Sequence, residues 1–133
     1  MDEIWSSVRF RKAAQAEVRG DVDEQYSGPK AGLHPIFDKV ASIIQGFGPD
    51  VAQYTRRNYV VFSRRNHFAS VSPVTRSAVG IAFKMKDRPF TGRLEPNKDV
   101  GGGSFSHLVV VKSSEEVDAE VVELLRAAYD AQG

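Results

Sequence analysis

Between positions 54 and 68 the chain interleaves rings with bases: Tyr54, Arg56, Arg57, Tyr59, Arg64, Arg65, His67 and Phe68. That mixture suits single-stranded nucleic acid, whose bases stack on aromatic rings while arginines meet its phosphates. Strand alternation works against it, because alternation can turn Tyr59 and Phe68 inward and leave the arginines outside. Turns project outward, so Arg64 and Arg65 in one turn, Arg76 in the next and Arg93 in a later loop are the candidate anion ligands. Consecutive turns of a meander lie at opposite ends of a sheet. A single cluster therefore requires Arg93 to bridge them.

His34, His67 and His107 lie far apart, and nothing with His-x-x-x-His spacing is present, so no metal or other cofactor is expected. His107 is the histidine that qualifies as a further ligand-binding residue, because it enters a strand straight after the run Gly101-Gly102-Gly103. Its ordinary role is a histidine hydrogen-bonded at a sheet end. The glycine run with Ser104 invites comparison with a phosphate loop, but a phosphate cradle precedes a helix and ends in lysine. Here a strand follows. Glu95 and Asp99 can pair as acid and base, yet Arg93 and Lys98 beside them make a solvated charged loop the plainer reading. No Gly-x-Ser-x-Gly elbow is present, and no serine is flanked by residues that suggest activation by histidine.

The elements that must position these residues centre on a meander. Residues 58–63, 67–72 and 78–85 are rich in β-branched and aromatic types and are separated by turns at 64–66 and 73–77. Val79, Ile81, Phe83 and Met85 alternate with Gly80, Ala82, Lys84 and Lys86, which predicts one buried sheet face. A short strand at 51–56 leads in. Ahead of it, Pro35 opens a predicted helix over 35–45, with Ile36, Val40, Ile43, Ile44 and Phe47 on one stripe and Gly46 and Gly48 as its stop. Residues 86–106 read as a long irregular loop, and 107–112 as a last strand.

The spacing from Ser113 to Glu116 is that of a capping box, which predicts a helix over 114–131 with Val117, Val121, Leu124, Leu125 and Ala128 inward. The predicted fold is α+β, a two-layer sandwich of an antiparallel sheet of about 4–5 strands covered by two main helices. Residues 1–25 form an N-terminal extension with helix-favouring composition, 21–30 a polar connector, and 26–133 a single domain.

The 133 residues contain no cysteine, which excludes thiol nucleophiles, disulfides and Cys-based metal sites. No apolar run is long enough to span a bilayer, and Met1-Asp-Glu-Ile-Trp is acidic where a secretory leader is basic. A cytoplasmic location without a membrane partner is expected. The net charge of +1 hides an uneven distribution: +7 over residues 51–100 and −4 over 101–133. Either the acidic C-terminal helix neutralises the basic sheet, or the sheet carries an anion-binding face.

From Tyr26-Ser-Gly-Pro-Lys onward the chain resembles the bacterial family called domain of unknown function 5655. The resemblance rests on Phe47-Gly-Pro-Asp-Val, Tyr59-Val-Val-Phe with Arg64-Arg65-Asn66-His67-Phe68-Ala69, Thr91-Gly-Arg-Leu-Glu, Gly102-Gly103-Ser104-Phe105-Ser106-His107 and the Glu115–Tyr129 ending. It implies a compact α+β domain, transfers no catalytic residues and leaves the function open. Some members carry an N-terminal cysteine zinc segment or a preceding helical domain, neither of which matches the first 25 residues. A non-enzymatic binding or interaction module, its ligand unidentified, is the expected function. The alternatives are a nucleic-acid accessory protein using the basic sheet segment, and a small enzyme or ligand site between 86–106 and the sheet. An open edge at 51–56 makes a homodimer an expected partner.

Overall fold

Apolar residues at every second position of the central strands meet apolar stripes of two helices, and the core forms where they face each other. The computed structural model describes residues 21–98 and 105–133. The helix expected within the first 20 residues lies outside the described residues, as do Asp99 and the run Gly101–Ser104. Among the described residues six strands form one antiparallel sheet: β1 (Ala52–Thr55), β2 (Val60–Ser63), β3 (His67–Thr75), β4 (Ala78–Phe83), β5 (Glu95–Pro96) and β6 (His107–Val111). Their spatial order is β1-β2-β3-β4-β6-β5. The sheet is thus one strand larger than predicted, because Glu95-Pro96 inside the long loop pairs with Leu108 and His107. Two residues are too few to leave a periodic signal in the sequence.

Two main helices, α2 (His34–Gln45) and α3 (Ala119–Asp130), follow a short α1 (Val22–Gln25) and cover one face. Ile36, Val40 and Ile44 of α2 and Val121, Leu124, Leu125 and Ala128 of α3 share a core with Val79, Ile81 and Phe83 of β4 and Val109 and Val111 of β6. This is the predicted α+β architecture. The connector expected at 21–30 instead holds α1 and the start of a 3-10 helix (Gly28–Leu33), α1 being capped by Asp21, whose carboxylate accepts from the Asp23 N–H.

Three local readings change. The turn expected at 73–77 is shorter, since β3 runs on to Thr75; a register shift between Pro73 and Thr75 accommodates the proline. The C-terminal helix begins at Ala119 rather than 114. Ser113 makes no side-chain cap, Glu116 accepts instead from the Lys112 N–H at 2.8 Å, and Val117, with ψ 76, ends a 3-10 turn over Ser114–Glu116. Asp118 is the N-cap of α3, accepting from the Val121 N–H. Finally, β4 is buried on both faces. Ala82 and Ser70 are 0 % exposed, and Val61, Ala82, Phe105 and Leu108 form a second cluster opposite the helices. Small side chains at Gly80 and Ala82 leave the alternation visible while both faces are covered. The predicted edge position of the first strand is observed, with β1 and β5 at the two edges.

Candidate functional site

The turn between β1 and β2 is held at three points. Gln25, 8 % exposed at the end of α1, donates its Nε2 hydrogens to the carbonyls of Arg56 at 2.7 Å and Tyr59 at 3.3 Å. Ser72 Oγ in β3 donates to the Asn58 carbonyl at 2.8 Å. Between these anchors stand Arg57 and Asn58, at the wall of a cleft of about 740 Å³. The 3-10 segment contributes Pro29 and Lys30 to its lining, and Arg76 comes from the turn between β3 and β4. That turn is tied by the Ser77 N–H donating to Thr75 Oγ1 at 3.2 Å.

Three cations, Lys30, Arg57 and Arg76, therefore line one cleft beside the side-chain amides of Gln25 and Asn58 and the hydroxyls of Ser27 and Ser72. Glu24 is the sole carboxylate among the described lining residues. None of the three cations forms an ion pair among the described residues. Such an arrangement can accept an anion without first breaking a salt bridge among the described residues, and the Asn58 amide can donate a hydrogen bond to it, whereas the hydrogens of Gln25 Nε2, Ser27 Oγ and Ser72 Oγ are already donated to backbone carbonyls.

All of these lining residues fall inside one family domain: the model described as Domain of unknown function (DUF5655) matches residues 22–132. The chain belongs to that family. No curated protein and no solved structure matches it. The match begins at the first residue of α1, so the DUF5655 domain includes the helix that carries Gln25 as well as the sheet.

In this DUF5655 chain the predicted anion ligands separate. Arg64 turns back onto its own fold: Nε donates to Asp50 at 2.8 Å, Nη1 to the Tyr129 carbonyl at 3.3 Å, and the guanidinium lies 4.1 Å over the Tyr129 ring. Tyr129 Oη completes the circuit by donating to Asp50 at 2.7 Å. Glycine is required at 48, where a Cβ would come within 2.5 Å of that phenol oxygen. The Tyr129 hydroxyl first, and then Arg64, hold the Asp50 carboxyl below its ordinary range. The stabilisation this gives is present above the unfolded carboxyl value of about 3.9 and is lost as pH falls through the lower folded one. Asp50→Asn is therefore expected to lose less stability on acidification than the unaltered protein, which denaturant midpoints across the acid range will measure.

Arg93 is neutralised at the start of α3. Nη1 lies 2.9 Å from Asp118 and 3.4 Å from Glu120, and Nη2 donates to the Glu116 carbonyl at 2.7 Å. The Val121 N–H first, and the Arg93 guanidinium after it, lower the Asp118 carboxyl. Arg88 likewise meets Glu123 of α3 at 2.7 Å. Arg93 does not bridge Arg64 and Arg76.

His107, 3 % exposed, pairs with Phe83 in register; its Nε2 donates to the Arg88 carbonyl at 2.8 Å and its Nδ1 lies 2.6 Å from Ser106 Oγ. Its ring stacks on Phe90 at 4.5 Å. This is the hydrogen-bonded sheet-end histidine, anchoring the segment around Arg88 and Phe90. His34 sits on the surface between Asp23 and Asp38, which raise its pKa, Asp23 foremost. Among the described residues no group of His, Asp and Glu gathers as a metal ligand set.

Arg76 joins the large cleft, while Arg65 lines a smaller pocket at the other end of β2. Lys30 and Asn58 are the groove residues that sequence reasoning missed. Lys30 lies in a stretch read as a connector. Its one local signal is Pro29, which opens the 3-10 turn that presents it.

Proposed function

We propose that the protein is a non-catalytic binding domain that captures a phosphate-bearing polyanion in the cleft at Lys30, Arg57 and Arg76. The supporting observation is charge bookkeeping by residue. Arg64, Arg88, Arg93 and Arg126 meet carboxylates at 2.7–3.2 Å, whereas the three cleft cations meet none among the described residues. The two readings of the charge asymmetry thus apply to different residues. The acidic C-terminal helix neutralises Arg88 and Arg93, and the cleft keeps its surplus.

The test titrates a single-stranded oligonucleotide and inorganic polyphosphate of equal charge at two salt concentrations. Engagement of three phosphates gives a log–log salt slope of roughly −2 for single-stranded DNA, about 0.7 per phosphate. The double change Arg57→Ala/Arg76→Ala is expected to flatten that slope by about 1.4 with the fold intact. Arg64→Ala leaves the slope unchanged, because that side chain is engaged with Asp50 and Tyr129. Tighter binding of the oligonucleotide than of polyphosphate identifies the nucleic-acid form of the reading. No binding of either at low salt overturns the proposal. The β1 edge, unpaired among the described residues, also offers its backbone to a second copy; a strict monomer by light scattering at high concentration would remove that part.

A further inference from the structure

At the far end of β2 from the cleft, the hairpin to β3 sets Ser63 directly opposite His67. A register shift between Phe62 and Ser63 bends the strand there, as bulges beside sites commonly do. Ser63 Oγ lies 2.7 Å from His67 Nδ1. Tyr54 of β1 places its ring 6.0 Å from the imidazole, and Lys84 follows β4 on the other side of β3, its backbone N–H donating to the Phe68 carbonyl at 3.0 Å. These four residues, with Arg65 and Asn66 of the turn, line a pocket of about 350 Å³.

No carboxylate is among the described lining residues. Two carry fixed positive charge, and Tyr54, Ser63, Asn66 and His67 all bear N–H or O–H donors. Lys84 and Arg65 form no ion pair among the described residues. A pocket of donors and cations without an acid is built for an anion, and its size suits a small one.

We propose that this pocket is a second anion site, independent of the cleft, which takes a tetrahedral dianion such as phosphate or sulfate, and that His67 takes up a proton as the site fills. The charges that face the imidazole are Arg56 and Lys84, with Arg65 at the rim; Tyr54 and Ser63 are its neutral neighbours. Burial first, then Arg56 and Lys84, depress the His67 pKa, so the ring is neutral in the empty site at neutral pH. A dianion among the same groups reverses the balance and favours imidazolium. Protonated Nδ1 then donates to Ser63 Oγ, which turns the serine hydroxyl hydrogen outward as one more donor to the anion. Affinity accordingly rises as pH falls through the raised pKa of the complex, and levels off below that of the free site.

Sulfate is the decisive probe, because it carries no proton of its own near neutrality. Calorimetric titration near neutral pH, in two buffers of different ionisation enthalpy, is expected to show saturable binding with a buffer-dependent heat that corresponds to proton uptake. Lys84→Gln should weaken binding by about tenfold or more, the share of one charge-assisted hydrogen bond. His67→Gln should abolish the buffer dependence. The imidazole resonances of His67 in the unaltered protein should titrate at higher pH with sulfate than without it, a reading that needs no variant to fold. Phenyl phosphate binding above inorganic phosphate identifies an ester-borne group seated against Tyr54; the opposite order identifies the free ion. The proposal is overturned by absent saturation at low salt, by saturation without proton uptake, or by sulfate binding that Arg57→Ala/Arg76→Ala removes and Lys84→Gln spares.

Discussion

Phe83→Ala is expected to lower the unfolding free energy by about 3–5 kcal/mol, the range for deleting a buried aromatic ring. Phe83 is fully buried on the helix-covered face and stands in register between Ala69 on β3 and His107 on β6. The cost of such a deletion depends on how far the neighbours can close the space. Ala69 is too short to fill it. His107 is held by hydrogen bonds from both ring nitrogens and cannot swing in without breaking them. The cavity should therefore persist, and the loss should lie at the upper end of the range. Urea unfolding measures it; a midpoint within error of the unaltered protein would mean that this sheet face is not the core.

The same strand shows how far sequence reasoning reached. Alternation alone assigned Val79, Ile81, Phe83 and Met85 to the helix side, and all four belong to or pack against that core. Alternation could not show that Gly80 and Ala82 are covered as well, since small residues score as neither apolar face nor solvent face. Helix stripes were equally legible, yet Phe37 and Tyr129 escaped because each sits at the margin of its stripe. The capping box misled for a specific reason. Glu116 spends its carboxylate on the Lys112 N–H, and the helix waits for Asp118.

The candidate sites were less legible, since both are made by pairing rather than by spacing. Lys30, Arg57 and Arg76 line one cleft, and Gln25 ties α1 to the β1–β2 turn beside it through two hydrogen bonds to backbone carbonyls that have no sequence signature. Turn arginines were expected to project outward, and Arg64 instead folds back because Asp50 and Tyr129 offer it a carboxylate, a carbonyl and a ring. Ser63 and His67 could have been found. Two strands joined by the three-residue turn 64–66 place the flanking residues opposite each other, so register arithmetic alone brings that hydroxyl to that imidazole.

Leu124→Ala on α3 is expected to cost about 2–5 kcal/mol. Alanine has the highest intrinsic helix propensity, so the substitution does not weaken the helix as a helix and isolates its packing. Packing must dominate here, since a 12-residue segment is marginal as an isolated helix in water. Leu124 is 1 % exposed and lies in the core with Val121, Leu125 and Ala128. Its chain neighbour Glu123 points the other way and holds Arg88 through an exposed ion pair at 2.7 Å. Glu123→Ala should therefore cost at most about 1 kcal/mol, as exposed pairs do. The two variants differ by one position along the helix, about 100° of rotation, so their contrast reads the orientation of α3 directly. Hydrogen exchange should show α3 amides losing protection in Leu124→Ala and keeping it in Glu123→Ala. Equal losses in both would mean that α3 is held by its surface charges rather than by its buried stripe.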